Sequence, residues 1–259
     1  MVSEGRHIRN FGARLTKARR VLIVFCGFVA RERMFFDPMY LLYLAPGLIL
    51  TLWAQFKVKR AYSRYSEVRS SSGMTGAQVA RAILDRYVGR DIPVEVTGGV
   101  LSDHYDPSAR VLRLSEAVYH GRSIAAAGIA AHEAGHAMQH KSAYGPLVLR
   151  QTMAPVAIWG SNLSWIFIVV GSLVSMTVAW IGVALFAVAV VFSVVTLPVE
   201  FNASRRAKEV LPQLGLVSTA DAKGTNAVLN AAAMTYVAAA ATAILQLVYF
   251  LTRMGGSRD

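Results

Sequence analysis

Charge is what this sequence has least of. Only 16% of its 259 residues are Asp, Glu, Lys or Arg, against about 25% in a typical soluble domain. Cysteine is nearly absent: Cys26 stands alone, so no disulfide within the chain braces it. Hydrophobic residues make up 54%, which excludes an intrinsically disordered chain. Glycine and proline, at 20 and 8 residues, are too few for a collagen-like one. Acids are the scarcer charge, 15 against 27 basic residues, leaving a formal net charge of +12. In a soluble protein that excess points to nucleic acid; in a membrane protein it marks cytoplasmic flanks. A mean hydropathy of +0.42 favours the second reading: a lipid bilayer as partner and no nucleic acid.

The long uncharged runs decide the architecture. A hydrocarbon core of about 30 Å takes roughly 20 apolar helical residues. Residues 38–56 are uncharged and end at Lys57, Lys59 and Arg60. Residues 151–199 contain no acid, base or histidine over 49 positions, too long for one span and suited to two with a tight turn near 171–175. Residues 224–252 are uncharged and end at Arg253. Four transmembrane helices are expected, near 38–56, 151–172, 176–198 and 228–252, with kinks at Pro46 and Pro155. The Ala-rich last run also reads as a buried helix.

The predicted fold is a mainly α integral membrane protein with a small α+β zincin-like catalytic region between spans one and two. Six segments follow: a basic extension over 1–33, the first span over 34–56, and the catalytic region over 57–150. After these come a transmembrane hairpin over 151–199, a helix and loop over 200–223, and a last span with a tail over 224–259. The extension holds eight Lys/Arg and two Asp/Glu. Its apolar run, 21–30, is too short to span. It resembles a signal peptide without a clean cleavage site, and Met34 is the expected native start. An intact mass that includes residues 1–33 would sink that expectation.

Within the polar region, apolar spacing predicts a helix over 74–87 behind Thr75 as N-cap. Residues 93–97 and 111–115 alternate like short strands, with turns at Gly98, Gly99 and Asp106-Pro107. A second helix is expected over 123–140, capped by Ser123. A third begins at Glu200 and stops at Pro212. Residues 69–76, RSSSGMTG, read as a flexible linker.

The chemistry sits in the second helix, at His132-Glu133-Ala134-Gly135-His136, an HExxH motif. Residues four apart share a helix face, so both imidazoles can meet one ion. The intervening Glu133 lies beside it, placed to take a proton from an activated water. A catalytic zinc usually has three protein ligands and an open position. Positions 139 and 142 are Gln and Ser, so a third histidine at metzincin spacing is absent. His140, one turn further, reads as an outer or surface residue. The better third ligand is Glu200, which directly follows an uncharged run, where a carboxylate is costly unless paired or coordinated. An even number of spans must separate it from the histidines, and the 49-residue run supplies two. The alternative for Glu200 is an interfacial ion pair with Arg205 or Arg206.

These residues resemble the neutral zinc metallopeptidase family of bacterial membrane proteins, the YugP-like family. The matching segments are FFDPMYLLYLAPGLILTLWAQFKVK, LSDHYDPSARVLRLSE, AAHEAGHAMQH, TLPVEFNASRRAKEVL and NAAAMTYVAAA, together spanning about residues 35–255. The resemblance implies a membrane endopeptidase with one Zn2+ and, more distantly, the gluzincin pattern of HtpX-like proteases. It implies His132, His136 and Glu200 as ligands and Glu133 as general base. Those relatives often carry an Asp four residues after the third-ligand Glu; position 204 is Ser here. Asn202 and Ser204 are candidates for holding the ligands in place.

The expected reaction is peptide-bond hydrolysis, on a polypeptide that is itself a membrane or membrane-associated protein. His104, Tyr105 and Tyr119 are candidate donors to the developing oxyanion. The strand over 111–114 is the expected partner for an extended substrate. Lys/Arg flanks put the site on the cytoplasmic side of the cell membrane. Two other readings compete: a non-catalytic zinc scaffold, and an intramembrane site-2-type protease. The first leaves Glu133 without a purpose. The second needs its HExxH inside a spanning helix, whereas here Arg122 and Lys141 bound it.

Overall fold

The computed structural model describes residues 38–100 and 102–256. The basic segment 1–33 and the expected start at Met34 lie outside the described residues. Among the described residues, four helices are long and apolar enough to cross a membrane: α1 (Pro38–Ser66), α5 (Gly145–Val174), α6 (Met176–Gln213) and α7 (Thr219–Gly255). Between α1 and α5 lie α2 (Gly76–Tyr87), β1 (Val94–Thr97), β2 (His104–Asp106), β3 (Val111–Ser115), α3 (Glu116–Tyr119) and α4 (Ile124–Lys141).

The spanning helices are longer than expected, for a reason that matters to function. At 38 residues α6 is about 57 Å long, nearly twice a hydrocarbon core. The helix expected to start anew at Glu200 is instead the continuation of α6, which runs on through Pro198. It ends at Gln213 rather than before Pro212, where Gly215 adopts φ +65 and the amides of Gly215 and Leu216 return to the carbonyls of Pro212 and Leu211. Helix α7 likewise begins at Thr219, well before the expected 228, behind a Ser218–Asp221 capping box. Pro46 and Pro155 sit inside continuous helices. The turn between α5 and α6 falls at Ser175. A Cβ at Gly171 would lie 2.2 Å from the Ala179 amide nitrogen, so glycine is what lets the hairpin close.

The projecting ends of α6 and α7 complete a polar-side core that the segment 57–150 does not build alone. Val79, Ile83 and Leu84 of α2, Leu112 and Leu114 of β3, and the alanines of α4 pack with Ala207, Val210 and Leu211 of α6 and Leu229 of α7. Helix α4 is buried nearly all round, which explains its composition: alanine and glycine let neighbouring backbones approach closely. Helix α2 keeps the expected Thr75 cap, closed into a capping box by Gln78.

The sheet has the order β1-β3-β2, with β1 parallel and β2 antiparallel to β3. Strand β2 was not anticipated; only the turn after it was, where Asp106 Oδ1 accepts the amides of Ser108 and Ala109. Its presence overturns the expectation that 111–114 pairs with substrate. β3 is the central strand, bonded on both sides, and has no edge to offer. The linker over 69–76 is also corrected: it is pinned, not flexible. The Ser70 amide donates to the Arg122 carbonyl, and the Ser71 amide and hydroxyl both donate to Asp221 at the start of α7.

Candidate metal centre

Helix α4 carries His132 and His136 on one face, their rings 4.8 Å apart between centroids and nearly perpendicular. Helix α6 reaches that face because Gly135 has no side chain. A Cβ there would lie 2.7 Å from the Ala203 carbonyl oxygen. This contact sets Glu200 opposite the histidines. Its Oε2 is 3.2 Å from His132 Nε2 and 3.7 Å from His136 Nε2. One ligand atom from each of the three residues lies within 4.8 Å of the others.

The spacing suits a small divalent cation. Ligand atoms about 2.0–2.1 Å from a tetrahedral zinc stand roughly 3.3–3.4 Å from one another. The observed separations bracket that value, so small side-chain adjustments close the site. Two imidazole nitrogens and one carboxylate are a donor set suited to zinc. The orientation of the rings fits as well. His132 Nδ1 meets Ser204 Oγ at 3.1 Å, and His136 Nδ1 meets Gln139 Oε1 at 3.0 Å. With both Nδ1 atoms engaged, both Nε2 atoms face the centre, as outer partners of metal ligands arrange. Gln139 is fully buried and itself fixed, donating to the Val199 carbonyl at 2.8 Å and to Asn202 Oδ1 at 3.0 Å.

Glu200 is 2% exposed. Its remaining oxygen, Oε1, accepts from Arg150 at 3.0 Å. The alternative pairing with Arg205 or Arg206 is not the one found; Arg206 donates to Asn202 instead. Arg150 and Glu200 stand equally far from the turn at Ser175, about 25 residues or about 37 Å of helix on either side. An antiparallel hairpin therefore sets them side by side. Burial disfavours the His136 imidazolium, but Glu200 and Glu133 outweigh that and raise its pKa above the ordinary histidine value.

Glu133 accepts the Tyr105 amide N–H at its Oε2, 3.1 Å away, so β2 orients this carboxylate. The cavity over the cluster is lined by residues 103–105 and Pro107 on one side. Leu147, Arg150, Gln151 and Ala154 of α5 and Tyr236 of α7 line the other. His104 reaches this cavity, its Nδ1 2.8 Å from the Ser102 carbonyl. The Tyr105 hydroxyl turns away to His140 Nδ1 at 2.9 Å, and burial raises its pKa. His140 thus stays out of the cluster. Tyr119 packs its ring on His120 and against the polar-side core.

Gln139, Arg150, Gln151 and Tyr236 escape sequence reasoning. Arg150 carried a signal: it is the last charge before the long uncharged run, mirrored by Glu200 just after it.

Long, span-capable helices with a His-His-Glu cluster at one end of their hairpin define the class: a membrane protein with a cluster able to hold a metal ion. The chain belongs to the neutral zinc metallopeptidase family. The family described as "putative neutral zinc metallopeptidase" matches residues 40–255. The chain is also 48% identical over 214 residues to the "Putative membrane protease YugP" of Bacillus subtilis (strain 168), covering 82% of this chain and 95% of that protein. No solved structure matches.

Proposed function

We propose that this protein is a membrane-embedded zinc endopeptidase, with His132, His136 and Glu200 holding one Zn2+ and Glu133 acting as general base. The observation that carries the reading is the three-residue cluster with a second, separately oriented carboxylate, Glu133, beside it. A zinc ion held there supplies Lewis acidity, polarising the scissile carbonyl and lowering the pKa of a water molecule. The protein does the rest. Gln139 and Ser204 hold the two imidazoles with Nε2 inward, and Arg150 holds the Glu200 carboxylate. Glu133, steadied by the Tyr105 amide, takes a proton from the attacking water and passes it to the nitrogen of the leaving amine. An extended substrate lies in the cleft between β2 and α5. The developing oxyanion needs a further donor, and His104 and Tyr236 are offered by opposite walls of the cleft.

The position of the site argues for substrates at the membrane. The Arg150–Glu200 pair stands about 37 Å of helix from the hairpin turn, just beyond a hydrocarbon core of about 30 Å. Polypeptide segments emerging from the bilayer meet the cleft at that level. The Lys57, Lys59, Arg60 and Arg64 end of α1 and the Arg205, Arg206 and Lys208 stretch of α6 support a cytoplasmic position for this end. The HExxH helix is not among the four span-capable helices, which counts against a site-2-type enzyme.

Metal content and cleavage measured together test the reading. Glu133→Gln should keep zinc and lose cleavage by about 10²- to 10⁴-fold. Glu200→Ala should lose zinc as well. A Glu133→Gln variant that cleaves normally sinks the mechanism.

A further inference from the structure

The cleft has an unbalanced supply of hydrogen-bond donors. A polypeptide laid along β2 presents alternating N–H and C=O groups, and each carbonyl needs a donor. Strand β2 has none left. Its middle residue, Tyr105, gives its N–H to Glu133. Strand alternation turns the N–H groups of His104 and Asp106 toward β3. Residue 107, next along, is proline and has no N–H.

Across the cavity stands a donor without an acceptor. Gln151 lines the same cleft from α5, one residue after Arg150. Its Nε2 is fully buried and finds no hydrogen-bond partner among the described residues. A buried donor left unmade costs about 1–3 kcal/mol, and such groups call for an explanation. The polar neighbours around the cluster are already engaged: Arg150 with Glu200, Glu133 with Tyr105, and His132 and His136 with Ser204 and Gln139. Gln151 is left over from that network and lies in the cavity that substrate must enter.

We infer that Gln151 is a substrate-binding residue: its side-chain amide donates to a backbone carbonyl of the bound polypeptide, supplying from α5 the donor that β2 lacks. The inference rests on the peptidase reading above. It makes the cleft two-sided, with the strand accepting and the spanning helix donating. Recognition is then of peptide backbone rather than of one side chain, and it ties substrate directly to a membrane helix.

Two zinc-directed probes separate this inference from the reading beneath it. Acetohydroxamate engages the metal alone; a dipeptidyl hydroxamate adds backbone carbonyls. Both are titrated into the zinc-loaded, detergent-purified full chain and into Gln151→Leu, with Gln151→Met as a second variant of closer shape. The expected result is about tenfold weaker binding of the dipeptidyl probe in both variants, the scale of one lost hydrogen bond. Acetohydroxamate affinity and zinc content should be unchanged. Equal dipeptidyl affinity in wild type and variants overturns the inference. Parallel loss of zinc and of both probes also overturns it, assigning Gln151 to the metal site instead. If neither probe binds zinc-loaded wild type, the peptidase reading itself falls, and this inference with it.

Discussion

Replacing Gln139 by leucine removes the residue that aims His136 while leaving all three residues of the His-His-Glu cluster in place. The structure sets the size of the effect. Gln139 is fully buried, accepts from His136 Nδ1 through Oε1, and donates through Nε2 to Val199 and Asn202. Leucine keeps the volume and loses all three. Outer partners of metal-bound histidines are typically worth 10- to 100-fold in metal affinity, or about 1.4–2.8 kcal/mol. The metal-free protein is destabilised too: Asn202 Oδ1 still receives Arg206, but His136 Nδ1 loses its partner, at about 1–3 kcal/mol. The assay is zinc competition against a chromophoric chelator in detergent, with thermal unfolding of the metal-free protein alongside. Gln139→Glu is the informative control. It retains an acceptor for His136 but not the donors, so zinc affinity should stay within a few-fold of wild type while stability falls. A leucine variant that binds zinc within twofold of wild type refutes the orientation argument. A glutamate variant as weak as leucine refutes it too, and attributes the loss to packing.

Gly135→Ala should push α4 from α6, because the new Cβ meets the Ala203 carbonyl at 2.7 Å. A cost of about 1–3 kcal/mol is expected from overpacking, with zinc content reduced; an unchanged melting temperature and full zinc occupancy contradict it. The raised pKa of His136 gives a pH dependence of definite sign. In the metal-free protein its pairing with Glu200 adds stability that is complete below the ordinary histidine pKa. That stability is lost as pH rises through the elevated value. Zinc needs the neutral ring, so its affinity runs the opposite way, weakening about tenfold per pH unit below that value; a flat affinity between pH 5 and 7.5 counts against the shift. Tyr236→Phe should lower kcat by about 10²-fold or more with little change in KM if its hydroxyl serves the oxyanion, and equal turnover assigns that role to His104.

Much of the fold was written in local composition. The uncharged runs announced four long apolar helices because a bilayer demands length and apolarity, both of which are countable along a chain. The extents were not countable. Helix α6 continues unbroken past Pro198 because its polar end packs against α4, so the change of composition at Glu200 marks a change of surroundings rather than a change of structure. Strand β2 is three residues long, too short for alternation to register, and sits beside Asp106-Pro107, which reads as a turn. The linker over 69–76 has a flexible composition, yet Arg122 and Asp221 hold it from 50 and 150 positions away.

The site divides the same way. His132, Glu133 and His136 were legible because four-residue spacing on a helix is a property of the helix itself. Glu200 was legible because a carboxylate at the end of an apolar run needs a reason, and because two spans return the chain to the same side. What the sequence could not contain is which neighbours close the site. The absence of a side chain at Gly135 acquires meaning only when Ala203 arrives against it. Gln139 becomes the partner of His136 only once α6 buries it, and Arg150 becomes the partner of Glu200 only once the turn falls at Ser175. Periodicity and composition act between near neighbours along the chain. Apart from the His136–Gln139 pair within α4, the contacts that orient this cluster join residues 50 to 72 positions apart, and tertiary packing decides them.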